Sequence, residues 1–375
     1  MKKNTLFLVL GLVISLSSCN MEESILPDFR DDFLDFSYID TTSYEFLRLE
    51  TTHESLIQNI SEVLFDTSYV FVFDDKSKAV FIFDSNGSYL SKIAAIGRGP
   101  GEYSQNVKTF DLDRKRNEIV MFDPSSRKIL RYSYLGDFLR EVTLIDYRGT
   151  HFAYLGHDKY VFSYNYEGYQ LVLTDSVGNV LSHFHPNVTK NQELSLGMTM
   201  FFSKNTNNSP YYIPVWEDKI FQITHEGVKM VLDFNFSDRF VSSGSELSRY
   251  NQLQSVEKYS FFKDIRVAYP TGFYFETRYC NEMDGSGYLG QELIVTGTLE
   301  GAVLDAGKFQ IADLTKLRNY LPAIGSPIGN LDGRFIVPIS TIIIKSRYSD
   351  QFTDVDFNDN PFLLFFKLDE KKDLK

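Results

Sequence analysis

The chain has 375 residues, a formal net charge of −12 at pH 7 and 15% aromatic residues. The acidic balance argues against nucleic acid as a partner, because a nucleic-acid-binding protein needs a basic face to neutralise phosphates. With 43% hydrophobic and 23% charged residues, the composition is that of a packed globular chain and excludes a disordered one.

Residues 1–19 have the pattern of an export signal. Lys2 and Lys3 form a charged head, and the apolar run over residues 6–16 is too short to span a bilayer as a stable helix. The run ends in Leu16-Ser17-Ser18-Cys19, which resembles the lipobox of bacterial lipoproteins. The resemblance implies that Cys19 takes a diacylglyceryl group and becomes the mature N-terminus. The alternative is an ordinary signal peptide in which Cys19 is incidental.

A lipid on Cys19 would anchor the chain to a membrane with its folded part in water. Residues 20–43 are polar and acidic, and we interpret them as a tether. The pair Glu22-Glu23 resembles the surface-export signal of lipoproteins in Bacteroides-type bacteria. We therefore expect an outer-membrane lipoprotein that faces either the cell surface or the periplasm. Cys280 is the other cysteine of the chain, and by itself it can form no internal disulfide.

A pattern of four strands repeats along the chain. In the first unit, four short runs rich in Val, Ile, Phe and Tyr lie between Ser61 and Ile93, and each ends in polar or turn-forming residues. Further units follow at 107–142, 151–184 and 199–234. A glycine, the residue that primed hairpin turns favour, separates the third and fourth runs of each unit: Gly87, Gly136, Gly178 and Gly227. These glycines are 49, 42 and 49 residues apart. Blade-type repeats have periods of about 40–50 residues, so the spacing predicts a β-propeller.

The repeat blurs after residue 236. We interpret residues 237–262 as an insertion between blades and predict a fifth unit from residue 264 onward. The last unit shows only three runs, so the run around Phe46 is predicted to supply its fourth strand and to remove the open sheet edge. Residues 44–375 are therefore predicted to form an all-β, six-bladed β-propeller closed by an N-terminal strand. A seventh blade would need strands within the insertion.

The link between the first two units carries a family resemblance. Its sequence, Ile96-Gly97-Arg98-Gly99-Pro100-Gly101-Glu102-Tyr103, resembles the G-x-G-P-G-E-[FY] link of the six-bladed β-propeller lipoproteins of Bacteroides-type bacteria, whose blades are NHL-like. Asn360-Pro361-Phe362-Leu363 is similar to the closing strand of that group, and Leu49-Glu50-Thr51 to its opening strand. The resemblance implies the fold and the lipid anchor. It implies no reaction, because this fold hosts many functions.

Loops after the second and fourth strands of each blade would share one face of the propeller. That face would carry exposed aromatic side chains beside charged ones, a combination that suits stacking on a sugar or gripping an extended peptide. The candidate ligand-binding residues on this face are Arg98, Glu102, Tyr103, Arg127, Arg148, Tyr166 and Trp216. For each of them, a solvated loop residue or a packed ring is the alternative interpretation.

Signatures of catalysis or metal binding are weak in this sequence. It has no Gly-x-Ser-x-Gly elbow and no cysteine pair for zinc. The acidic segment that begins at Asp354 departs from a calcium loop at its sixth position, Asp359, and its twelfth, Phe365. We therefore expect a monomeric binding protein without metal or cofactor, whose partner is a glycan, a peptide or an envelope protein. Two alternatives stay open. One is a lactonase-like hydrolase or lyase with a metal at the central channel, and the other is a structural subunit of an envelope complex.

Overall fold

The computed structural model describes residues 39–145, 149, 151–166, 168–186, 204, 208–212, 214, 219–233, 260–269, 272–279, 289–296, 310–313 and 327–368. Cys19 and the insertion predicted over 237–262, apart from its last three residues, lie outside this part of the chain. Strands dominate the described residues, and a single short helix accompanies them.

The first half of the chain forms three four-stranded antiparallel sheets after an initial strand. In chain order the strands are β1 (Ile39–Arg48), β2 (Ile60–Asp66), β3 (Tyr69–Asp74), β4 (Ala79–Asp84), β5 (Tyr89–Ile93), β6 (Phe110–Asp113), β7 (Glu118–Asp123), β8 (Lys128–Ser133), β9 (Phe138–Thr143), β10 (His151–Tyr154), β11 (Tyr160–Tyr166), β12 (Tyr169–Thr174) and β13 (Val180–Pro186). The first sheet is β2–β5, the second β6–β9 and the third β10–β13, each with its strands in sequence order.

The second half of the chain continues the pattern. Its elements are β14 (Tyr211–Tyr212), β15 (Lys219–Thr224), β16 (Gly227–Asp233), β17 (Ser260–Tyr269), β18 (Gly272–Tyr279), β19 (Leu289–Thr296), β20 (Gln310–Asp313), β21 (Gly329–Leu331), β22 (Arg334–Ile339), α1 (Thr341–Arg347) and β23 (Phe362–Leu368). Strands β14–β16 form a three-stranded sheet and β17–β20 a four-stranded one. The closing sheet has the order β1-β23-β22-β21, so it combines both ends of the chain.

The sheets are arranged radially, because their first strands contact one another. Strand β21 contacts both β2 and β17, β6 contacts β10, and β14 contacts β17. Meanders whose inner strands meet in this way form a β-propeller. The all-β propeller prediction is therefore confirmed.

The predicted count of six four-stranded blades is not confirmed, since five four-stranded sheets are described. In the remaining sheet, residues 199–203, predicted as its first strand, lie outside the described part of the chain. Strand β14 has only two residues, and Pro210 and Pro214 stand on either side of it. Proline has no N–H to donate to a sheet, which explains why this strand is short.

The first sheet shows how the aromatic runs build the core. Side chains alternate across a strand, so Phe71 and Phe73 face the second sheet while Val70 and Val72 face the closing sheet. All four are buried because both faces of the sheet are covered. A run of consecutive apolar residues is therefore needed in β3 and β4, in place of the apolar–polar alternation of a half-exposed strand.

The closing sheet joins the two ends of the chain as the sequence predicted. Phe46 pairs with Leu364 and Leu47 with Leu363 in an antiparallel register. Strand β1 begins at Ile39 and therefore includes the last residues of the predicted tether.

Side-chain hydrogen bonds of loop 354–360 stabilise this pairing of the two chain ends. The guanidinium of Arg48 donates to the carboxylates of Asp354 (2.7 Å) and Asp359 (3.0 Å). The buried amide of Asn360 bonds three backbone groups within residues 50–57 at 2.8–2.9 Å. The acidic loop thus acts as a structural clasp between the two chain ends.

Helix α1 was not predicted. The run from Thr341 to Ile344 consists of β-branched residues, which favour strands. Ser340 has extended backbone angles at the N-cap position, and burial of Thr341 and Ile344 fixes one side of the helix against the core. Basic Lys345 and Arg347 in the last turn suit the negative end of the helix dipole.

An ion cluster fills the contact between the second and third sheets. Arg131 is buried there and donates to Asp113 (2.9 Å), Glu118 (2.8 Å), Asp158 (3.1 Å) and the hydroxyl of Tyr160 (2.7 Å). Burial alone would raise the pKa of Asp113 and Glu118, but hydrogen bonds from neighbouring groups, Arg131 among them, hold both pKa values below their usual range. We call Asp113, Glu118, Arg131, Asp158 and Tyr160 the ion cluster.

Candidate functional site

The contact between the first sheet and the closing sheet contains a cleft of about 460 Å3. We call it the closure cleft. It lies at the end of these sheets where the β2–β3, β4–β5 and β21–β22 turns are found. Its lining residues are Glu45, Leu47, Phe65, Asp66, Thr67, Tyr69, Val70, Ser85, Arg114, Leu331, Asp332, Arg334 and Phe365.

The apolar wall of the closure cleft comes from both sheets. Phe65 and Phe365 meet edge to face, with their ring centroids 5.7 Å apart and an interplanar angle of 64°. Leu47 and Leu331 pack against the same core cluster, which is why Leu47 faces the cleft while its neighbour Phe46 packs on the other side of β1. An aromatic ring edge and aliphatic side chains thus form one continuous surface.

Charged side chains surround this wall. Arg334 pairs with Glu45, and its guanidinium lies 5.0 Å from the centroid of the Phe365 ring. On the opposite side, the second sheet contributes Arg114, which donates to the backbone carbonyl of Phe65 at 3.1 Å. Guanidinium groups thus stand on both sides of the apolar wall.

Asp66 is the best-anchored carboxylate of the cleft. It accepts hydrogen bonds from the hydroxyl of Tyr134 at 2.7 Å and from the backbone N–H of Thr67 at 2.8 Å. Burial raises the pKa of Tyr134, and the bond to Asp66 raises it further, so this hydroxyl stays a donor across the physiological range. The Asp66 carboxylate is therefore held in one orientation before any ligand arrives.

A small number of fixed polar groups around an apolar wall is the arrangement of small-molecule binding sites. The wall can bury an apolar face of a ligand, and the carboxylates and guanidiniums can accept from and donate to its polar groups. Within the described residues, no group of three or more His, Cys, Asp or Glu side chains could hold a metal ion. The described helix is too short to cross a membrane.

Four of the predicted site residues, Arg98, Glu102, Tyr103 and Arg127, are described and do not line the closure cleft. Arg98 and Arg127 are exposed and Glu102 is half-buried. Tyr103 is fully buried, and its hydroxyl has two acceptors for its one proton, the backbone carbonyls of Lys78 (2.8 Å) and Ile93 (3.1 Å). Tyr103 is thus a packed ring, the alternative interpretation, and it offers no face to a ligand.

The link 97–103 uses Glu102 for its own structure. The carboxylate accepts from the N–H of Gly99 at 2.6 Å, and a Cβ at Gly97 would stand 2.0 Å from its Oε2. A side chain at position 97 would therefore displace the Glu102 carboxylate from its present position. The backbone N–H of Gly101 donates to Glu141 (3.0 Å), which also pairs with Lys128 beside Arg127. The link and the turn that carries Arg127 are thus joined, although their arginines remain solvated.

The remaining predicted residues cannot be compared with the structure in the same way. Arg148 and Trp216 lie outside the described residues, and Tyr166 is described only as the last residue of β11, paired with Tyr169. The ligand-binding role of this face stays a prediction.

The closure cleft was not predicted from the sequence because its residues are separated by up to 320 positions in sequence. The only signal for it was the predicted pairing of the chain ends.

Similar structures support the fold. The crystal structure of the protein BF0058 from Bacteroides fragilis, which is described as exported, matches with a TM-score of 0.63 and 16% identity over 91% of this chain and 98% of its own. A DUF4221 family member from Bacteroides vulgatus matches with a TM-score of 0.53 and 10% identity over 87% and 98%. At such identities the likeness shows the fold alone. No curated protein matches the sequence significantly.

The sequence itself matches one family model. The model is described as Domain of unknown function (DUF4934), and it matches residues 30–278. That range begins before β1 and extends through the first three sheets into β18, so it covers most of the propeller. The chain therefore belongs to the DUF4934 family.

Proposed function

We propose that this protein is a lipid-anchored, six-bladed β-propeller of the cell envelope that binds a glycan or a peptide in the closure cleft and catalyses no reaction. The observation that carries the proposal is the cleft of about 460 Å3. Pockets for small ligands typically measure about 300–1,000 Å3, so a short oligosaccharide or a few peptide residues would fit.

The chemistry of the lining supports this ligand class. Sugars and peptides both present apolar faces beside hydrogen-bonding groups. The half-buried ring of Phe65, with Leu47 and Leu331, suits the first. Asp66 and Arg114 suit the second. A ligand without polar groups would leave these charged side chains desolvated, which is unfavourable.

The anchored location also belongs to the proposal. It is supported by the lipobox-like sequence at Cys19 and by the shared fold of BF0058, which is described as exported. In the closing sheet, Ile39 of β1 pairs with Leu368, at the same end as the β21–β22 turn that lines the cleft. The tether would therefore leave from the cleft side of the protein. A flexible chain of its length has a root-mean-square span of roughly 25 Å.

The blade count of six rests on the five four-stranded sheets together with the sheet β14–β16. A crystal structure of residues 20–375 tests the count directly. Any number of radial sectors other than six would contradict it.

The binding proposal is tested with a glycan and peptide array and purified residues 20–375. Ser85 is exposed at the edge of the cleft, so Ser85→Trp should fill the cleft without disturbing the core. We expect array signals of the wild type to fall at least tenfold in this variant. Unchanged signals would overturn the assignment to the cleft, and silence of the wild type on every ligand would favour the structural subunit.

Ser176→Trp is the matched control. Ser85 and Ser176 follow aspartates that cap equivalent turns: Asp84 accepts from two backbone N–H groups at 2.8–2.9 Å, and Asp175 from two at 2.9–3.0 Å. The control should keep every signal of the wild type.

A double variant, Arg98→Glu and Arg127→Glu, tests the face predicted from sequence. Signals lost there and kept in Ser85→Trp would move the site to that face.

A further inference from the structure

A buried lysine lies among the inner strands of the first three sheets. Lys204 precedes β14, and only 3% of its side chain is exposed. Its ammonium donates to the carboxylate of Glu62 in β2 at 2.8 Å, and also to the hydroxyl of Thr109 and the backbone carbonyl of Phe110. An ammonium has three donors, and here each has an acceptor.

Two aromatic rings complete the surroundings of the ammonium. The Lys204 nitrogen lies 5.9 Å from the centroid of the Phe110 ring and 5.5 Å from that of Phe152 in β10. Cations within about 6 Å of a ring centroid are attracted by the negative face of the ring. The cage therefore consists of one carboxylate, two neutral oxygens and two rings, contributed by three different sheets.

Two titratable groups, His151 and Asp111, lie near the ammonium. Burial, together with the charges of Lys108 and Lys204, lowers the pKa of His151 to about 4, so its imidazole is neutral at neutral pH. Asp111 is buried, which raises its pKa, and its carboxylate accepts from the backbone N–H groups of Leu112 and Tyr154 at 2.8 Å. The charge of Lys204 acts to lower the pKa of Asp111, against the effect of burial, but Glu62 is the carboxylate that is hydrogen-bonded to the ammonium.

We propose that β2, β6 and β10 form a binding site for a primary ammonium group, which Lys204 of the same chain occupies. Every acceptor and ring of the cage lies on the first three sheets, so the site does not depend on the backbone around Lys204. Three acceptors around one nitrogen suit a tetrahedral ammonium and not the planar fork of a guanidinium. The occupied site holds the Lys204 side chain against the first three sheets. This inference is independent of the closure cleft.

Chemical rescue tests the site. Lys204→Ala removes the group that n-propylammonium reproduces, and it leaves the Glu62 carboxylate with the hydroxyl of Thr109 as a donor but without this charged partner. We expect the midpoint of thermal unfolding to fall by several degrees and to recover with rising concentrations of n-propylammonium, since a ligand of the native state raises that midpoint. Equal concentrations of 1-propanol should not restore it, and n-propylammonium should not shift the wild type.

Two further variants make the test specific. In Lys204→Ala with Glu62→Gln the rescue should disappear, because the carboxylate is the charged acceptor. Lys204→Arg should unfold at a lower temperature than the wild type, since its planar group cannot use the three acceptors. Rescue that persists without the Glu62 charge, or by 1-propanol equally, would overturn the proposal.

A measurement on the wild type covers the case in which Lys204→Ala fails to fold. Reductive methylation followed by mass spectrometry should modify exposed Lys115 and leave Lys204 unmodified in the native protein. Methylation of Lys204 at the rate of Lys115 would mean that the ammonium is not caged.

Discussion

The contact between the second and third sheets and the contact between the closing and first sheets have the same strand register but contain different side chains. In the second sheet Arg131 pairs with Val120, the third residue of β7. In the closing sheet Phe365 pairs with Ile336, the third residue of β22. Arg131 and Phe365 thus stand at equivalent positions. The arginine gathers the ion cluster, whereas the phenylalanine forms one wall of the closure cleft.

The residues that open the second strands differ as well. Glu118 opens β7 and binds Arg131, while Arg334 opens β22 and lies over the ring of Phe365. In the facing sheets, Tyr160 and Tyr69 open β11 and β3. The hydroxyl of Tyr160 accepts a hydrogen bond from Arg131. The ring of Tyr69 instead packs against the rings of Phe71 and Tyr134. The propeller fold therefore permits a filled contact at this position, and the cleft is a property of the residues placed there.

Removing the arginine of the ion cluster should have the largest effect. Arg131→Met leaves buried Asp113 and Glu118 without their shared partner, and we expect the free energy of unfolding in urea to fall by about 3–5 kcal/mol. Arg140→Met is the control, because that arginine is half-exposed and also binds Glu118. Its loss should stay below about 1 kcal/mol. Equal losses in the two variants would mean that burial does not set the strength of the cluster.

Acid should have the second-largest effect, because it weakens the ion cluster. The folded-state pKa values of Asp113 and Glu118 are lowered, so both carboxylates contribute stability above their ordinary pKa and lose it as pH falls through the lower folded value. The loss should begin near pH 4, the ordinary range of these groups, which is about 3.9–4.3. Urea unfolding of the wild type and Arg131→Met across pH 7 to 3 checks this. The gap between them should narrow below pH 4, and a constant gap would contradict the linkage.

The aromatic pair of the closure cleft should contribute less. Phe65→Leu keeps an apolar side chain but removes the edge-to-face contact with Phe365, which is worth about 0.5–1.5 kcal/mol in such pairs. A double-mutant cycle with Phe365→Leu isolates this contact from the change in volume. A coupling energy near zero would show that the rings are neighbours without a specific interaction.

The ion pair at the edge of the cleft should contribute least. Glu45 is 66% exposed, so Glu45→Gln should change the free energy of unfolding by about 0.2–1 kcal/mol. Salt should abolish even this difference because it screens exposed charges, whereas the effect of Arg131→Met should persist. Urea unfolding at low and high salt compares the two variants. A salt-resistant effect of Glu45→Gln would place this pair with the ion cluster.

Much of the fold could be predicted because it depends on local patterns. Strands β3 and β4 are two of the four runs predicted between Ser61 and Ile93, and their apolar residues end at Asp74 and Asp84 in turns. The pairing of β1 with β23 followed from the missing fourth strand of the last unit. Helix α1 could not be predicted from the local sequence, because tertiary burial outweighs the strand preference of its β-branched residues.

The candidate site could not be predicted in the same way. Local pattern indicates that Tyr103 follows a turn, yet it does not reveal that a neighbouring blade covers the ring. The choice between a filled and an open contact depends on which side chains face each other across two sheets. Arg131 and Phe365 are equivalent only through strand register, and register becomes visible only when the sheets are assembled.

The clasp formed by Arg48 and Asn360 has a consequence for biosynthesis. Strand β1 is synthesised before the other described strands, and its partner β23 is synthesised after them. Until β23 has left the ribosome, β1 has no strand to pair with, and β22 presents an open edge that can pair with other chains. Contacts between residues this far apart in sequence form slowly. A chain that stopped before residue 362 would keep both edges open, so correct assembly of this propeller requires its last strand.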